Sequence, residues 1–100
     1  TFVTDTAQGI VDSALSTNTS GKTYNITRGR SRTLLEAAEL AVALAGKGTV
    51  NVLDKDESMP SRGTLDISQA RQDFDYNPTI DIEQGFETYM NWLTETGLWK

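Results

Sequence analysis

The sequence predicts a small α/β or α+β layer: four amphipathic helices with a few short strands. Three observations carry this expectation. Four segments place apolar residues at helical spacing, each opened by Asp or Thr with Glu or Gln three positions later. Between them lie short stretches that are β-rich or alternate apolar with polar side chains. Gly, Asn and Pro punctuate the joins. The order reads strand, helix, strand, helix, strand, helix, helix, with little sheet.

Each element has its own signal. Thr1 to Thr4 is β-rich and reads as the end of a strand. Asp5 is placed to cap a helix, with Gln8 as its box partner, and Ala7, Ile10, Val11, Ala14 and Leu15 share one face. Ser16 to Gly21 is a polar turn, and Lys22 to Thr27 alternates Tyr24 and Ile26 with polar residues as a half-buried strand would. Arg28 to Arg32 forms a loop around Gly29. Thr33 to Glu36 is a capping box, Leu35, Ala38, Val42 and Ala45 follow on one face, and Gly46 and Gly48 end that helix. Val50 to Leu53 reads as a strand, Asp54 to Gly63 as a charged loop containing Pro60, and Gly63 to Leu65 as strand-like. Asp66 to Gln69 opens a short helix that stops near Tyr76, and Asn77-Pro78 is a turn. Asp81 to Gln84 opens the last helix, with Ile82, Phe86, Tyr89, Met90 and Leu93 on one stripe. The aromatic residues on these faces are expected in the core, and Trp92 and Trp99 are expected to close the last helix onto the body.

Composition bounds the chemistry. The 100 residues suffice for one small domain, expected to span 1–100. With 37% hydrophobic and 23% charged residues, the chain has the balance of a folded domain. There is no Cys and no His, which removes disulfides, thiolate nucleophiles, zinc–thiolate sites and the commonest general base. A net charge of −5 disfavours nucleic acid as a partner. No apolar run approaches the roughly 18–20 residues of a membrane span. No basic n-region opens the chain, so no signal peptide is read there. The absence of Met and the apolar Phe2-Val3 start suggest that more protein precedes Thr1.

No catalytic constellation emerges. Gly46 and Gly48 lack the third glycine of a dinucleotide fingerprint and end a helix instead of starting one. Asp54, Asp56 and Glu57 form the densest acidic cluster, which reads first as a solvated loop and second as a metal site. Arg28, Arg30 and Arg32 lie between a strand end and a helix start, where guanidinium groups and free N–H donors suit phosphate; a solvated loop is the bland alternative. Arg62, just before Asp66, would serve either a ligand phosphate or an ion pair with the nearby acids.

Three stretches resemble one family. Phe2 to Ile10 resembles the Tyr-Val-x-Asp-Val-Ala-x-Gly/Ala-Ile segment of extended short-chain dehydrogenase/reductases. Tyr24 to Ser31, with Thr33 and Glu36, is similar to their Tyr-Asn-Ile-Gly-x-Gly-x-x-x-Ser/Thr-x-x-Glu segment. Asp66 to Ala70, with Tyr76, Pro78, Glu83, Gly85 and Trp92, looks like Asp-Ile-Ser-Lys-Ala…Leu-Gly-Tyr/Trp-x-Pro…Leu-Glu-Glu-Gly…Trp. The three come in the family's order and at its spacing, over most of the chain.

The resemblance implies the C-terminal, substrate-binding part of an NAD(P)-dependent nucleotide-sugar epimerase or dehydratase similar to UDP-glucose 4-epimerase, a cytoplasmic isomerase or lyase. In that family an N-terminal Rossmann domain holds NAD(P) and a Tyr-x-x-x-Lys pair, and its helices form a homodimer. The tyrosinate takes a hydroxyl proton while hydride passes to the nicotinamide, giving a 4-keto sugar. Here Tyr24, Tyr76 and Tyr89 are followed four positions on by Arg28, Ile80 and Leu93, so no such pair exists. The expectation is therefore a chain without catalytic residues, without a cofactor of its own and inactive alone, partnered by a nucleotide sugar and by its own Rossmann domain. Arg62 matches an arginine that many relatives carry four residues before the Asp-Ile-Ser aspartate, and is the expected phosphate or nucleotide contact; Arg28 and Arg30 are further candidates. The family's Arg-Pro-Gly-Asp/His motif is absent, with Asp56 in its arginine's place beside Lys55. Its lysine and its Leu-Gly are here Gln69 and Phe74-Asp75. The alternative is a stand-alone module that binds a nucleotide sugar or a protein without catalysis; a structural domain with a solvated arginine loop is the third reading.

Overall fold

The computed structural model describes residues 1–99. Four helices follow in order: α1 (Val3–Leu15), α2 (Leu34–Ala45), α3 (Ser68–Phe74) and α4 (Ile82–Glu95). Among the described residues there is no strand, so the α/β expectation is corrected to an all-helical chain. The reason lies in what a strand requires. Alternating residues favour an extended backbone, but a strand exists only when a second one completes its ladder. Stretches 22–27 and 63–67 are joined otherwise: the Asn25 side-chain amide donates to the Asp66 carbonyl at 2.9 Å. Thr1 to Thr4 is no strand end either, because helix α1 already begins at Val3.

The chain divides into two compact units, Thr1–Ser31 with Thr64–Asp81, and Arg32–Gly63 with the segment from Ile82 onward. The first unit holds α1 and α3 around a core of Ile67, Ala70 and Tyr76, against which Tyr24, Ile26 and Phe74 pack. The Tyr24 ring meets Phe74 edge-on, with centroids 5.0 Å apart. Helix α1 enters through Gly9, where a Cβ would lie 2.7 Å from Ile26 Cγ2 and 2.9 Å from Tyr76 Cε2. That close approach turns the α1 face bearing Asp5 and Gly9 inward and leaves Ala7, Ile10, Val11, Ala14 and Leu15 exposed. Asp5 does not cap α1: the N-cap is Phe2, without a side-chain bond. The Asp66–Gln69 box is likewise replaced by a tighter turn, in which Asp66 Oδ1 accepts the Ser68 N–H at 2.8 Å. Helix α3 ends at Asp75, which adopts the left-handed conformation at φ 57°.

The second unit packs α2 on α4. Thr33 and Glu36 form the expected capping box, and Gly46 ends α2 in the left-handed conformation at φ 68°. Ala38, Val42 and Ala45 are half-buried, as their spacing predicts, but Leu35 is exposed and α2 has no fully buried residue. Helix α4 turns Ile82, Phe86, Met90 and Leu93 inward, while Tyr89 stacks on Trp92 at the surface. Gly97 closes α4: its N–H donates to the Thr94 carbonyl and the Leu98 N–H to the Leu93 carbonyl. Trp99 lies beneath the Lys47 ammonium, 5.3 Å from the ring centroid. No helix among the described residues is long and apolar enough to cross a membrane.

Candidate functional site

The first unit gathers its polar groups around Asp5. This carboxylate is 8% exposed. Its oxygens accept the Thr79 N–H at 3.2 and 3.1 Å, and Oδ2 also accepts the Ile80 N–H at 2.9 Å. The backbone after Pro78 is therefore held to α1 by charge-assisted bonds. In the same unit the Arg28 guanidinium donates to the Pro78 carbonyl at 3.2 Å and to Asp81 Oδ2 at 3.3 Å. Arg30, exposed, approaches the same Asp81 oxygen at 3.6 Å. Among the described residues, three buried polar atoms of this region have no hydrogen-bond partner: Arg28 Nε, Asp81 Oδ1 and Tyr76 OH. Asp81, expected to open a capping box, instead has Oδ1 unbonded and Oδ2 taken by arginines.

Both tyrosines of this unit are poor proton acceptors at neutral pH. Burial and the Asp73 carboxylate push Tyr24 up to about 12. Its hydroxyl donates to Asp73 Oδ2 at 2.5 Å, and Lys22 Nζ donates to the same oxygen at 2.9 Å. Asp73 is correspondingly held below the usual carboxylate range, first by the Tyr24 bond and then by Lys22. Burial raises Tyr76 as well, reinforced by the charge of Asp5 and opposed by Arg28. A phenol with a raised pKa keeps its proton and cannot act as a general base near pH 7.

The expected ligand arginines separate in character. Arg28 and Arg30 come together, but on a shared carboxylate, and Arg28 is half-buried. Arg32 donates to both Glu83 oxygens, at 3.1 and 2.6 Å, and reaches Glu36 at 3.4 Å, which completes its fork. Arg62 lies in the second unit, exposed and with no ion pair among the described residues. The acids that might have neutralised it are otherwise engaged or turned to solvent. Asp56 Oδ1 accepts from the Ser58 N–H and hydroxyl at 2.9 and 2.6 Å, and Glu57 lies 4.0 Å from Lys55. Asp56 is lowered by those serine bonds. Among the described residues no group of acids is arranged to hold a metal ion, the Asp54–Glu57 cluster included.

Sequence reading missed Asp5 as a buried anchor and Asp75 as a left-handed residue. Asp5 carried a competing signal, an N-cap pattern, and its true partners lie more than seventy positions away. Asp75 had a usable signal, since it follows the last helical residue where glycine usually stands. No family model matches the chain, and no curated protein or solved structure matches it either.

Proposed function

We propose that this chain is the nucleotide-sugar-binding portion of an NAD(P)-dependent epimerase or dehydratase of the extended short-chain dehydrogenase/reductase type, with the dinucleotide and the reacting tyrosine on a separate Rossmann domain. One observation carries the reading: the residues of the three stretches that lie in the first unit touch one another. Gly9 of the first stretch lies against Ile26 of the second and Tyr76 of the third. Gly29 of the second lies against Ile67 of the third, where a Cβ would be 2.7 Å from Ile67 Cδ1. Asn25 donates to the Asp66 carbonyl, and Asp5 accepts the two amides that follow Pro78. Chance similarity in three separate stretches has no reason to select mutual contacts. Asp75 adds to this, because it stands where relatives have glycine and adopts the backbone conformation that favours glycine.

In this reading Arg62 grips the diphosphate. An exposed guanidinium without an ion pair keeps its fork for two phosphate oxygens. Arg28 and Arg30, sharing Asp81, position the turn around Pro78 instead. The chain binds the nucleotide but turns nothing over alone. Calorimetric titration with UDP and with dTDP tests this. The chain should bind one of them, and Arg62→Ala should weaken binding about ten- to a hundredfold, the value of a hydrogen bond to a charged group. No heat with either nucleotide, or equal affinity in the variant, would contradict the assignment.

A further inference from the structure

Tyr76 OH, Arg28 Nε and Asp81 Oδ1 are buried in the first unit without a partner from the described residues. A buried polar atom left unbonded is costly, so three of them in one region point to something that they bind. Other bonds bring the three groups together. Arg28 Nη2 donates to Asp81 Oδ2 at 3.3 Å, so Nε and Oδ1 are the remaining arms of one guanidinium–carboxylate fork. Arg28 Nη1 holds the Pro78 carbonyl, two residues after Tyr76, at 3.2 Å. Asp5 holds the Thr79 and Ile80 amides, and one turn further along α1 Gly9 lies against the edge of the Tyr76 ring. The Tyr76 hydroxyl is raised by burial and then by the charge of Asp5, and Arg28 opposes them, so both charged groups lie near it.

We propose that these atoms form a binding site for one buried water, which accepts from Tyr76 OH and Arg28 Nε and donates to Asp81 Oδ1 and Asp5 Oδ1. Hydrogen-bond capacity selects the occupant. Tyr76 OH and Arg28 Nε offer protons, and the two carboxylate oxygens need them. Asp5 Oδ1 accepts one N–H, from Thr79 at 3.2 Å, and keeps a second lone pair. A metal ion could not accept the two protons and would meet the Arg28 charge. An ammonium ion has no lone pair for Arg28 Nε. An anion would leave Asp81 Oδ1 without a proton and lie beside two carboxylates. Water accepts two bonds and donates two, and buried waters have two to four such partners.

The fork geometry supports a bridge over direct closure. Charge-assisted N–H···O bonds run at about 2.7–2.9 Å, and a closed fork makes two of them. Here one arm is stretched to 3.3 Å and the other is not made. A water between Nε and Oδ1 holds the fork open in this way. It ties Asp5 of α1, the Arg28 loop and the turn after Pro78 through one centre, so its role is to position the Arg28 guanidinium. The inference goes beyond the nucleotide reading and uses neither Arg62 nor a nucleotide.

NMR of the 15N-labelled 100-residue chain tests it. The Arg28 Nε–H should show cross-peaks to the water resonance of opposite sign in NOE and ROE spectra, the mark of a long-lived bound water. Tyr76→Phe keeps the ring in the core and removes one of the four bonds. It should weaken those cross-peaks and raise the unfolding constant about two- to tenfold, the value of one hydrogen bond. Absent cross-peaks, or peaks of one sign that report only proton exchange, would overturn the proposal and favour a closed Arg28–Asp81 fork. A more stable Tyr76→Phe would overturn it as well, by showing that the hydroxyl is bonded to nothing. Full cross-peaks in Tyr76→Phe would remove Tyr76 from the site and contradict the four-bond centre.

Discussion

The two units differ in what holds them. The first buries Asp5, Gly9, Ile67, Ala70, Tyr76 and Pro78, whereas the second buries only Gly85 among the described residues. Local signals run the other way. Helix α2 has a complete capping box and a glycine C-cap, while α1 has no side-chain cap and α3 has only seven residues. A helix shorter than about 12–15 residues is marginal in water unless something packs on it. Good caps therefore decide where a helix starts and stops, and burial decides whether it endures. The first unit gains its persistence from fully buried distant contacts, and the second from half-buried packing of α2 on α4 together with its caps.

The largest effect should come from the core of the first unit. Tyr76 is 2% exposed, and Tyr76→Ala should cost about 3–5 kcal/mol in urea unfolding, as for other deeply buried aromatic residues. Phe86→Ala, at a half-buried site of α4, should cost less than half of that. Equal costs would erase the contrast between the units. Gly29→Ala comes next. Gly29 sits at φ 72° with Ile67 behind it, so the variant combines backbone strain with overpacking, about 2–4 kcal/mol together. Asp75→Gly should act oppositely and stabilise the first unit by about 1 kcal/mol, by relieving a left-handed residue at φ 57°. A neutral or destabilising outcome there would mean that the Asp75 side chain contributes more than its backbone costs.

These effects separate what the sequence reveals from what it hides. Thr33, Glu36 and Gly46 were legible because a cap involves partners within a few positions. Lys22 to Thr27 and Val50 to Leu53 misled because alternation describes a residue preference, and pairing requires a second strand that sequence order cannot supply. The α1 stripe was legible as a stripe but not as an outward one. Spacing shows that apolar residues share a face, and only the Gly9 approach to Tyr76 determines which face turns inward. Of the candidate site, the arginines were legible as residues but their partners were not. Arg28 and Arg30 meet at Asp81, which lies about fifty positions away in sequence.

Titration should give the smallest effects, because Tyr24 and Asp73 are only half-buried and Glu36 is exposed, so solvent still screens their charges. Tyr24 is raised from 10.0 to about 12, so the folded state binds its proton more tightly than the unfolded state does. The resulting stabilisation is complete below about pH 10 and is lost as pH rises through about 12. Asp73 and, in the second unit, Glu36 are both lowered, Asp73 chiefly by the Tyr24 bond and Glu36 chiefly by the Thr33 N–H. Their stabilisation is present above the ordinary carboxylate range and is lost as pH falls through the lower folded values. Acid should therefore weaken both units, and alkali chiefly the first. Tyr24→Phe should flatten the alkaline limb, followed by NMR of the first unit, and leave the acid response of the second unchanged.

Native-state hydrogen exchange tests the contrast most directly, because it reads each amide separately. The Thr79 and Ile80 amides, held by Asp5 outside any helix, should exchange more slowly than the mid-helix amides of α2. Slower exchange in α2 than at Thr79 and Ile80 would contradict the account, by showing that local helix signals outweigh the distant anchor.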